Sequence, residues 1–253
     1  MRHKRIDDIK DFIFNNKTVT LEQICNEFNI SKSTIRRDLQ DILVSDKNFK
    51  KIYGGIKFDS KDASIPFSER KITNIESKIS IAKKAAELVE DNDIIFIDFG
   101  TTVLHIVDYL KEIKNLTIIT NNLEVIYRAI NYDNINIISL SGVLNRKNLS
   151  FLGSFSANIL KTLNISKCFM STTGLSVNNG VTDLSTLEAE IKSIAVQRSK
   201  KVILLSDKSK FNCVSLQTYC ELNEIDILIT DEKPPEDINS FLINNNIEIL
   251  MSK

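Results

Sequence analysis

The sequence predicts an α/β protein of two domains, in which a winged helix-turn-helix is joined to a larger, Rossmann-like α/β domain. Two observations predict this architecture. Residues 1–58 combine apolar side chains at helical spacing with two short β-prone runs around the pair Gly54-Gly55. From Glu76 onward, short apolar strands alternate with helical segments, a pattern typical of a mostly parallel sheet covered on both faces.

Composition excludes several classes of protein. Of 253 residues, 42% are apolar and 26% are charged, as in ordinary soluble globular proteins. No apolar run approaches the ~20 residues of a membrane helix, and no hydrophobic stretch follows the charged N-terminal residues, so a cytoplasmic location is expected. The four cysteines lack C-x-x-C spacing and the only histidines are His3 and His105, so neither a metal site nor a cofactor is expected.

The overall net charge of zero conceals an asymmetry between the two parts of the chain. Residues 1–58 contain 12 Lys and Arg against 8 Asp and Glu, a net charge of +4. The remaining residues contain 21 basic and 25 acidic side chains, a net charge of −4. A basic first domain joined to an acidic second domain is consistent with a phosphate-binding module attached to a different function.

Three helices are predicted in the first domain. Apolar residues at helical spacing predict the first helix over residues 2–16. Thr20 lies three residues before Gln23, the spacing of a capping box, and predicts the start of the second helix. A third helix follows a tight turn at residues 29–30. The residues that share its apolar face are Ile35, Leu39, Ile42 and Leu43.

The opposite face of the third helix carries hydroxyls and guanidiniums. Two short helices joined by a tight turn place the second of them in the DNA major groove, where Arg binds guanine or phosphate through two bonds. An ordinary solvated helix face is the alternative, but the matched preceding helix and the basic hairpin that follows favour DNA contact. The hairpin lysines are expected at backbone phosphates. The predicted DNA-binding residues are Ser31, Lys32, Ser33, Thr34, Arg36, Arg37, Gln40, Lys50 and Lys51.

The polar segment 59–75 contains Pro66, one of only three prolines, and is predicted to be a linker between domains 1–58 and 76–253. The strands predicted beyond it are 94–97, 116–120, 135–140, 167–171, 202–205, 225–229 and 247–250. The helices predicted there are 77–90, 102–112, 122–131, 154–163, 186–199 and 236–243.

Polar turns follow several of these strands, and ligands of parallel sheets bind outside the carboxyl ends of strands. In the segment from Asp98 to Thr102, glycine, hydroxyls and free N–H groups at a helix start favour a phosphate, although an ordinary capped turn is the alternative. For Glu188 and Lys192 the alternative is a surface helix pair, but the position of Asp207 and Lys210 at a strand's carboxyl end favours a site. Gly153 and Gly174 could equally be turn residues. The predicted ligand-binding residues are Asp98, Gly100, Thr101, Thr102, Thr120, Asn121, Gly153, Gly174, Glu188, Lys192, Asp207 and Lys210.

These motifs, taken in order, resemble the DeoR family of bacterial transcriptional regulators. The matching segments are Ser31 to Leu39, Ile52-Tyr53-Gly54-Gly55, Pro66 to Arg70, Glu76 to Ala82, Asp98 to Thr102, Thr120-Asn121, Phe151-Leu152-Gly153, Gly174, Gly180-Val181-Thr182, Glu188 and Asp207 to Phe211. The resemblance implies a winged helix-turn-helix joined to an effector domain related in fold to ribose-5-phosphate isomerase and CoA transferases. It also implies repression of a sugar-catabolic operon and release from DNA by a phosphorylated sugar.

The resemblance assigns operator contact to Arg36 and Arg37, and effector contact to the strand-end residues. Because such repressors read paired half-sites, a homo-oligomer (dimer or tetramer) is expected, and no enzyme activity is expected. Two alternatives stay open. One is a sugar-phosphate isomerase with an appended DNA-binding domain, since Asp98, Glu188 and Lys210 supply acid–base groups. The other is a body that serves only oligomerisation.

Three positions depart from the family pattern. Tyr53 stands where the wing usually has histidine, Val143 follows Gly142 where a second glycine is frequent, and Thr173 precedes Gly174 where an acidic residue or Asn is frequent. The last two departures bear on the identity of the ligand rather than on the fold.

Overall fold

The computed structural model describes residues 2–16, 18–45, 49–58 and 67–252. Contacts divide the chain into two compact units, Met1–Ile65 and Pro66–Lys253. Among the residues described, no helix is long and apolar enough to span a membrane. Within the same ranges, no group of three or more His, Cys, Asp or Glu side chains is arranged to hold a metal ion.

The smaller unit is a three-helix fold with an antiparallel sheet of three strands in the order β1-β3-β2. Its elements are α1 (Arg2–Asn16), β1 (Thr18–Thr20), α2 (Leu21–Phe28), α3 (Lys32–Ser45), β2 (Phe49–Ile52) and β3 (Gly55–Phe58). The predicted capping box is confirmed, because Gln23 N donates to Thr20 Oγ1 at 3.2 Å and Thr20 N donates to Gln23 Oε1 at 2.8 Å. The predicted hairpin is also confirmed.

Strand β1 was not predicted, because three residues are too few to show a period. It pairs with β3, and this pairing explains a glycine. A Cβ at Gly55 would lie 2.2 Å from Val19 O, so only glycine allows the two backbones to approach each other.

The larger unit is built on a seven-stranded sheet of order β15-β14-β12-β9-β4-β5-β6, in which every neighbouring pair is parallel. The strands are β4 (Ile94–Ile97), β5 (Leu116–Thr120), β6 (Ile135–Ser139), β9 (Ile165–Ser171), β12 (Ser199–Leu205), β14 (Ile227–Thr230) and β15 (Glu248–Met251). The helices are α4 (Phe67–Ile72), α5 (Ile75–Ala86), α6 (Leu123–Ala129), α7 (Ser154–Leu160), α8 (Thr186–Arg198) and α9 (Glu236–Asn244). The α/β architecture predicted from the sequence is thus confirmed.

Two apolar layers form the core, one on each face of the sheet. Alternate strand residues divide between them: Phe96 packs with residues of α7, α8 and α9, whereas Ile95 and Ile97 pack with residues of α5 and α6. This division is the expected result of a buried sheet, because successive side chains of a strand point to opposite faces.

Several expectations about this unit were wrong in detail. The segment predicted as helix 102–112 is a shorter 3₁₀ helix, Val103–Tyr109. Part of the predicted linker forms α4, whose Phe67 is buried in the core of the larger unit; residues 59–66 lie outside the described ranges. Five short strands were missed, again because three or four residues carry too little periodicity. They are β7 (Val143–Asn145), β8 (Ser150–Leu152), β10 (Gly174–Ser176), β11 (Gly180–Asp183) and β13 (Gln217–Cys220).

Candidate functional site

The two faces of α3 are separated as the sequence predicts. Ile35, Leu39 and Ile42 are buried in the core of the smaller unit, whereas Arg36 and Arg37 are exposed. Helix α2 ends where Asn29 adopts the left-handed conformation at φ 51°, which produces the tight turn between the two helices. Ser33 and Gln40 are also exposed. The smaller unit therefore presents a polar and cationic helix face of the type that enters a major groove.

A partly buried ion pair, which no local sequence pattern indicates, fixes α3 against α1. Asp38 is buried, and Arg5 donates to both of its carboxylate oxygens, from Nε at 2.8 Å and from Nη2 at 3.2 Å. Arg36 and Arg37 have no ion pair within the described residues. Their guanidiniums thus differ from that of Arg5 in being available for a phosphate or a base edge.

Small polar contacts organise the start of α3. Ser31 Oγ lies 3.0 Å from Ser33 Oγ and 3.0 Å from Thr34 Oγ1. Lys32 Nζ pairs with Glu22 Oε1 at 2.8 Å, and both side chains are largely exposed. Exposed pairs of this kind contribute about 0–1 kcal/mol, so a DNA phosphate can replace Glu22 as the partner at little cost.

The hairpin of β2 and β3 carries a concentrated positive charge. Lys50 lies directly opposite Lys57 in the strand register, and the neighbouring Lys51 is exposed. Tyr53 is fully exposed at the tip.

In the larger unit, the polar turns at the ends of β4 and β5 lie together. Thr120 Oγ1 donates to Ile97 O at 2.7 Å and accepts from Asn122 N at 3.0 Å. Asn122 Nδ2 lies 3.5 Å from Asp98 O. This contact and the parallel pairing of β4 with β5 place the two predicted turns at one edge of the sheet. Asp98, Thr120 and Asn121 are all buried there.

Lys192 is the centre of a buried charge cluster next to these turns. Its Nζ lies 2.9 Å from Asp98 Oδ2 and 2.7 Å from Asp183 Oδ2, and it donates to Ser171 O at 2.8 Å. Burial alone would lower the pKa of Lys192, but Asp183 and Asp98 outweigh burial and hold that pKa above its ordinary value. The ring of Tyr219 lies 5.0 Å from the same ammonium. The Lys192 ammonium is therefore fully hydrogen-bonded inside the protein and is fixed in place by these three partners.

Glu188 and Lys192 do not form a surface helix pair, since both are buried. Glu188 Oε1 instead accepts from Asn148 Nδ2 at 2.5 Å and from Asn145 Nδ2 at 3.4 Å. Burial, reinforced by the charge of Asp183, raises the pKa of Glu188 above its usual range. The loop between β7 and β8 thus contributes directly to the cluster.

Several polar atoms at this site lack a protein partner. Asp98 Oδ1 and Asn121 Oδ1 are buried and accept no hydrogen bond from any described residue. Thr101 and Thr102, at the adjacent turn, are also buried residues. Buried polar groups are nearly always satisfied in native proteins, so this arrangement calls for a ligand or ordered water.

Gly100 explains how the turn packs so closely. A Cβ at this position would lie 2.0 Å from Ser171 Oγ and 2.3 Å from Ser171 Cβ. Ser171 in turn donates from both its N and its Oγ to Asp98 Oδ2. Glycine at position 100 therefore keeps Ser171 in the place where it orients Asp98.

Among the described residues, no hydrogen bond or ion pair joins the other predicted ligand residues to this cluster. Gly153 has φ +126° at the start of α7, and Gly174 packs where a Cβ would lie 2.4 Å from Cys213 O, so chain geometry accounts for both glycines. Asp207 is buried and accepts from Ser209 N at 2.9 Å as the cap of a short turn. Lys210 is half-buried in the same turn.

Sequence reasoning missed five members of the site. They are Arg70, Asn148, Ser171, Asp183 and Tyr219. A usable signal existed for only two of them. Asn148 lies in the polar run from Asn145 to Asn148, and Asp183 is a carboxylate at the end of the short segment that begins at Gly180. The other three come from segments whose proximity depends on the chain topology.

Two family models match this chain. Residues 5–62 match the model of the DeoR-like helix-turn-helix domain, and residues 73–232 match that of the DeoR C terminal sensor domain. The HTH-type transcriptional regulator IolR of Bacillus subtilis is 36% identical over 249 residues, which cover 98% of this chain and 99% of that protein. The HTH-type transcriptional repressor GlcR of Bacillus subtilis is 30% identical and covers 100% of this chain and 97% of its own length.

Among solved structures, ribose 5-phosphate isomerase from Plasmodium falciparum aligns with a TM-score of 0.40 and 17% identity, over 54% of this chain and 52% of that chain.

Proposed function

This chain belongs to the DeoR family of transcriptional regulators, and we propose that it represses a sugar-catabolic operon and releases its operator when a phosphorylated sugar binds beside Asp98. Membership of the family makes it a DNA-binding regulator. The choice of repression, the chemistry of the effector and the residues that bind it are parts of the proposal, as is a cytoplasmic location.

The observation that carries the effector proposal is the set of unpartnered polar atoms at the sheet edge. Asp98 Oδ1 and Asn121 Oδ1 are acceptors that require donors, and the hydroxyls of a polyol supply them. Thr101 and Thr102 offer hydroxyl donors at the adjacent turn, where phosphate oxygens are natural acceptors. A ligand with hydroxyls at one end and a phosphate at the other satisfies both sets. Gly153, Gly174, Asp207 and Lys210 stay predictions.

On DNA, we assign base and phosphate contact to the exposed face of α3 and phosphate contact to Lys50 and Lys51. Helix-turn-helix repressors bind paired half-sites, and we therefore propose a homo-oligomer. Release requires the effector to prefer the form that does not bind DNA, with a coupling free energy of about 1–3 kcal/mol.

The isomerase alternative is not favoured, since the curated relatives are transcriptional regulators. The geometry of the acid–base groups supports the same conclusion. Asp98 Oδ2 is already bound by Lys192 and Ser171, and no hydrogen bond or ion pair links Lys210 to that cluster within the described residues. We assign no catalytic residue.

An electrophoretic mobility shift assay tests the proposal. The probe is DNA from immediately upstream of the chain's own coding sequence, titrated with glucose 6-phosphate, fructose 1-phosphate, glycerol 3-phosphate and their unphosphorylated forms. We expect binding without additives and release by at least one phosphorylated compound only. The variant T101V/T102V, which removes two hydroxyls and conserves volume, should bind DNA normally and respond weakly.

Two outcomes would contradict this function. If no phosphorylated compound alters binding or raises the melting temperature, the body serves oligomerisation rather than sensing. If the wild-type protein isomerises a sugar phosphate, and still does so after residues 1–58 are deleted, the enzyme alternative is correct.

A further inference from the structure

We propose that Arg70, which lies in the segment predicted to be a linker, is the residue that transmits the state of the effector pocket to the DNA-binding unit. This inference rests on the proposed function, because it concerns how effector binding changes operator affinity. It assigns a role to a residue that neither the helix-turn-helix nor the strand-end turns include.

The first observation is the position of the guanidinium. Arg70 Nη2 donates to Asn148 Oδ1 at 3.0 Å, and Asn148 Nδ2 donates to Glu188 Oε1 at 2.5 Å. Burial lowers the pKa of Arg70, and the carboxylates of Asp183, Glu188 and Asp98 partly oppose this effect because they are close to the guanidinium. Arg70 therefore faces the acidic side of the pocket through one bridging amide.

The second observation is how α4 is attached to the larger unit. Phe67 is buried, and its N–H donates to Lys147 O at 2.9 Å. Arg70 binds the next residue of the same loop, Asn148. Helix α4 thus holds residues 147–148 from one side, while Glu188 holds Asn148 from the other. A change in the pocket that moves this loop must therefore also move α4.

The loop itself is held in an uncommon conformation. Leu149 has φ 51°, a region that non-glycine residues with ordinary side chains rarely occupy. Its carbonyl accepts from Leu123 N at 2.8 Å, at the start of α6. Backbone in such a region persists only where surrounding contacts impose it, and it is frequent in segments that switch between two arrangements.

Arg70 is better suited than Lys192 to respond to an anionic ligand. The Lys192 ammonium is already held by two carboxylates and by Ser171 O on the long helix α8. Arg70 instead lies on a helix of six residues, whose chain continues through residues 59–66 to the DNA-binding unit. A phosphorylated ligand adds negative charge at the turn of Thr101 and Thr102, and the attraction of this charge for the Arg70 guanidinium favours a new set of contacts. Covalent continuity then carries the displacement of α4 toward the smaller unit.

The test compares operator binding of the full-length chain with and without the phosphorylated compound that releases the wild-type protein. The variants are R70Q, which keeps a hydrogen-bond donor but no charge, and R70K, which keeps the charge without the planar fork. The matched control is K71A. Lys71 lies on the same helix and pairs with Glu124 at 2.7 Å, so K71A removes a charge and an ion pair of α4 without removing the hydrogen bond to Asn148. Effector binding to each variant is measured by isothermal titration calorimetry, so that release is compared at equal occupancy.

For wild type and K71A we expect the effector to raise the operator Kd by a factor of about 5–150, the usual range of allosteric coupling. For R70Q at equal effector occupancy, we expect a factor below about 2, with R70K between them. Release of R70Q equal to that of wild type would overturn the role of Arg70 while leaving the proposed function intact. Complete loss of effector binding in R70Q and R70K would assign Arg70 to ligand capture and also overturn the proposal. Failure of wild type itself to respond would overturn the proposed function, and this inference with it.

Discussion

Replacing Lys192 by methionine should destabilise the larger unit strongly, because it removes the cation from a buried cluster and leaves its partners in place. Asp98 Oδ2 and Asp183 Oδ2 both lie within 2.9 Å of Lys192 Nζ, and all three side chains are buried. Without the ammonium, two carboxylates face each other in a medium that solvates neither. Removal of one partner from a buried ion pair typically reduces the free energy of unfolding by about 3–5 kcal/mol. For a domain of this size, that loss corresponds to a fall in Tm of roughly 6–20 °C.

Tyrosine fluorescence during urea denaturation measures this loss. The chain has no tryptophan, and of its five tyrosines only Tyr53 precedes the larger unit, so the signal follows that unit. The control is K84M, because Lys84 pairs with Glu87 at 2.7 Å on an exposed helix surface, where a pair contributes about 0–1 kcal/mol. The triple variant K192M/D98N/D183N removes the ammonium together with both carboxylates that bind it and should recover at least half of the loss. A K192M protein as stable as K84M would refute the view that this cluster is desolvated and mutually dependent.

Three further predictions concern the DNA face and the pocket. R36A/R37A should weaken operator binding at least about tenfold at moderate salt and reduce the slope of log K against log salt by up to about 2. The control K200A/K201A removes two exposed lysines of the larger unit and should change neither quantity. Unchanged operator occupancy in R36A/R37A would contradict the proposed DNA interface. G100A should lower the free energy of unfolding, measured by urea denaturation, by about 1–3 kcal/mol because the new Cβ would collide with Ser171. Adding S171G to the G100A chain should restore part of the lost stability. A G100A protein as stable as wild type would contradict the close contact between residues 100 and 171. The raised pKa of Glu188 means that the folded chain retains a proton that the unfolded chain loses near pH 4.5, so stability falls as the pH rises from 4.5 to the folded pKa. The E188Q side chain does not titrate, so the free energy of unfolding of E188Q relative to wild type, measured by urea denaturation, should rise with pH across that interval. A difference that does not change with pH would contradict the raised pKa of Glu188.

Part of the site could be predicted from the sequence because it depends on local pattern. The apolar face of α3 follows from residues three or four apart, and the outward position of Arg36 and Arg37 follows from the same geometry. The carboxyl ends of parallel strands always meet at one edge of the sheet, so the Asp98 and Thr120 turns could be placed together before their contacts were known. The capping box of α2 is likewise local in the chain.

What the sequence alone determined about this protein is therefore the order of its domains, the periodicity of its helices and strands, and the edge of the sheet where polar turns collect. Only the tertiary structure decided that Lys192 is a buried structural cation, that Asp38 turns inward to Arg5, and that Arg70 reaches the pocket from a presumed linker. The physical reason is the range of the interactions. Helical and strand periods are set by neighbours a few residues apart, whereas a buried charge is tolerated only where distant segments supply its partners. Arg70 and Asn148 are 78 positions apart in the sequence, and no local pattern indicates their contact.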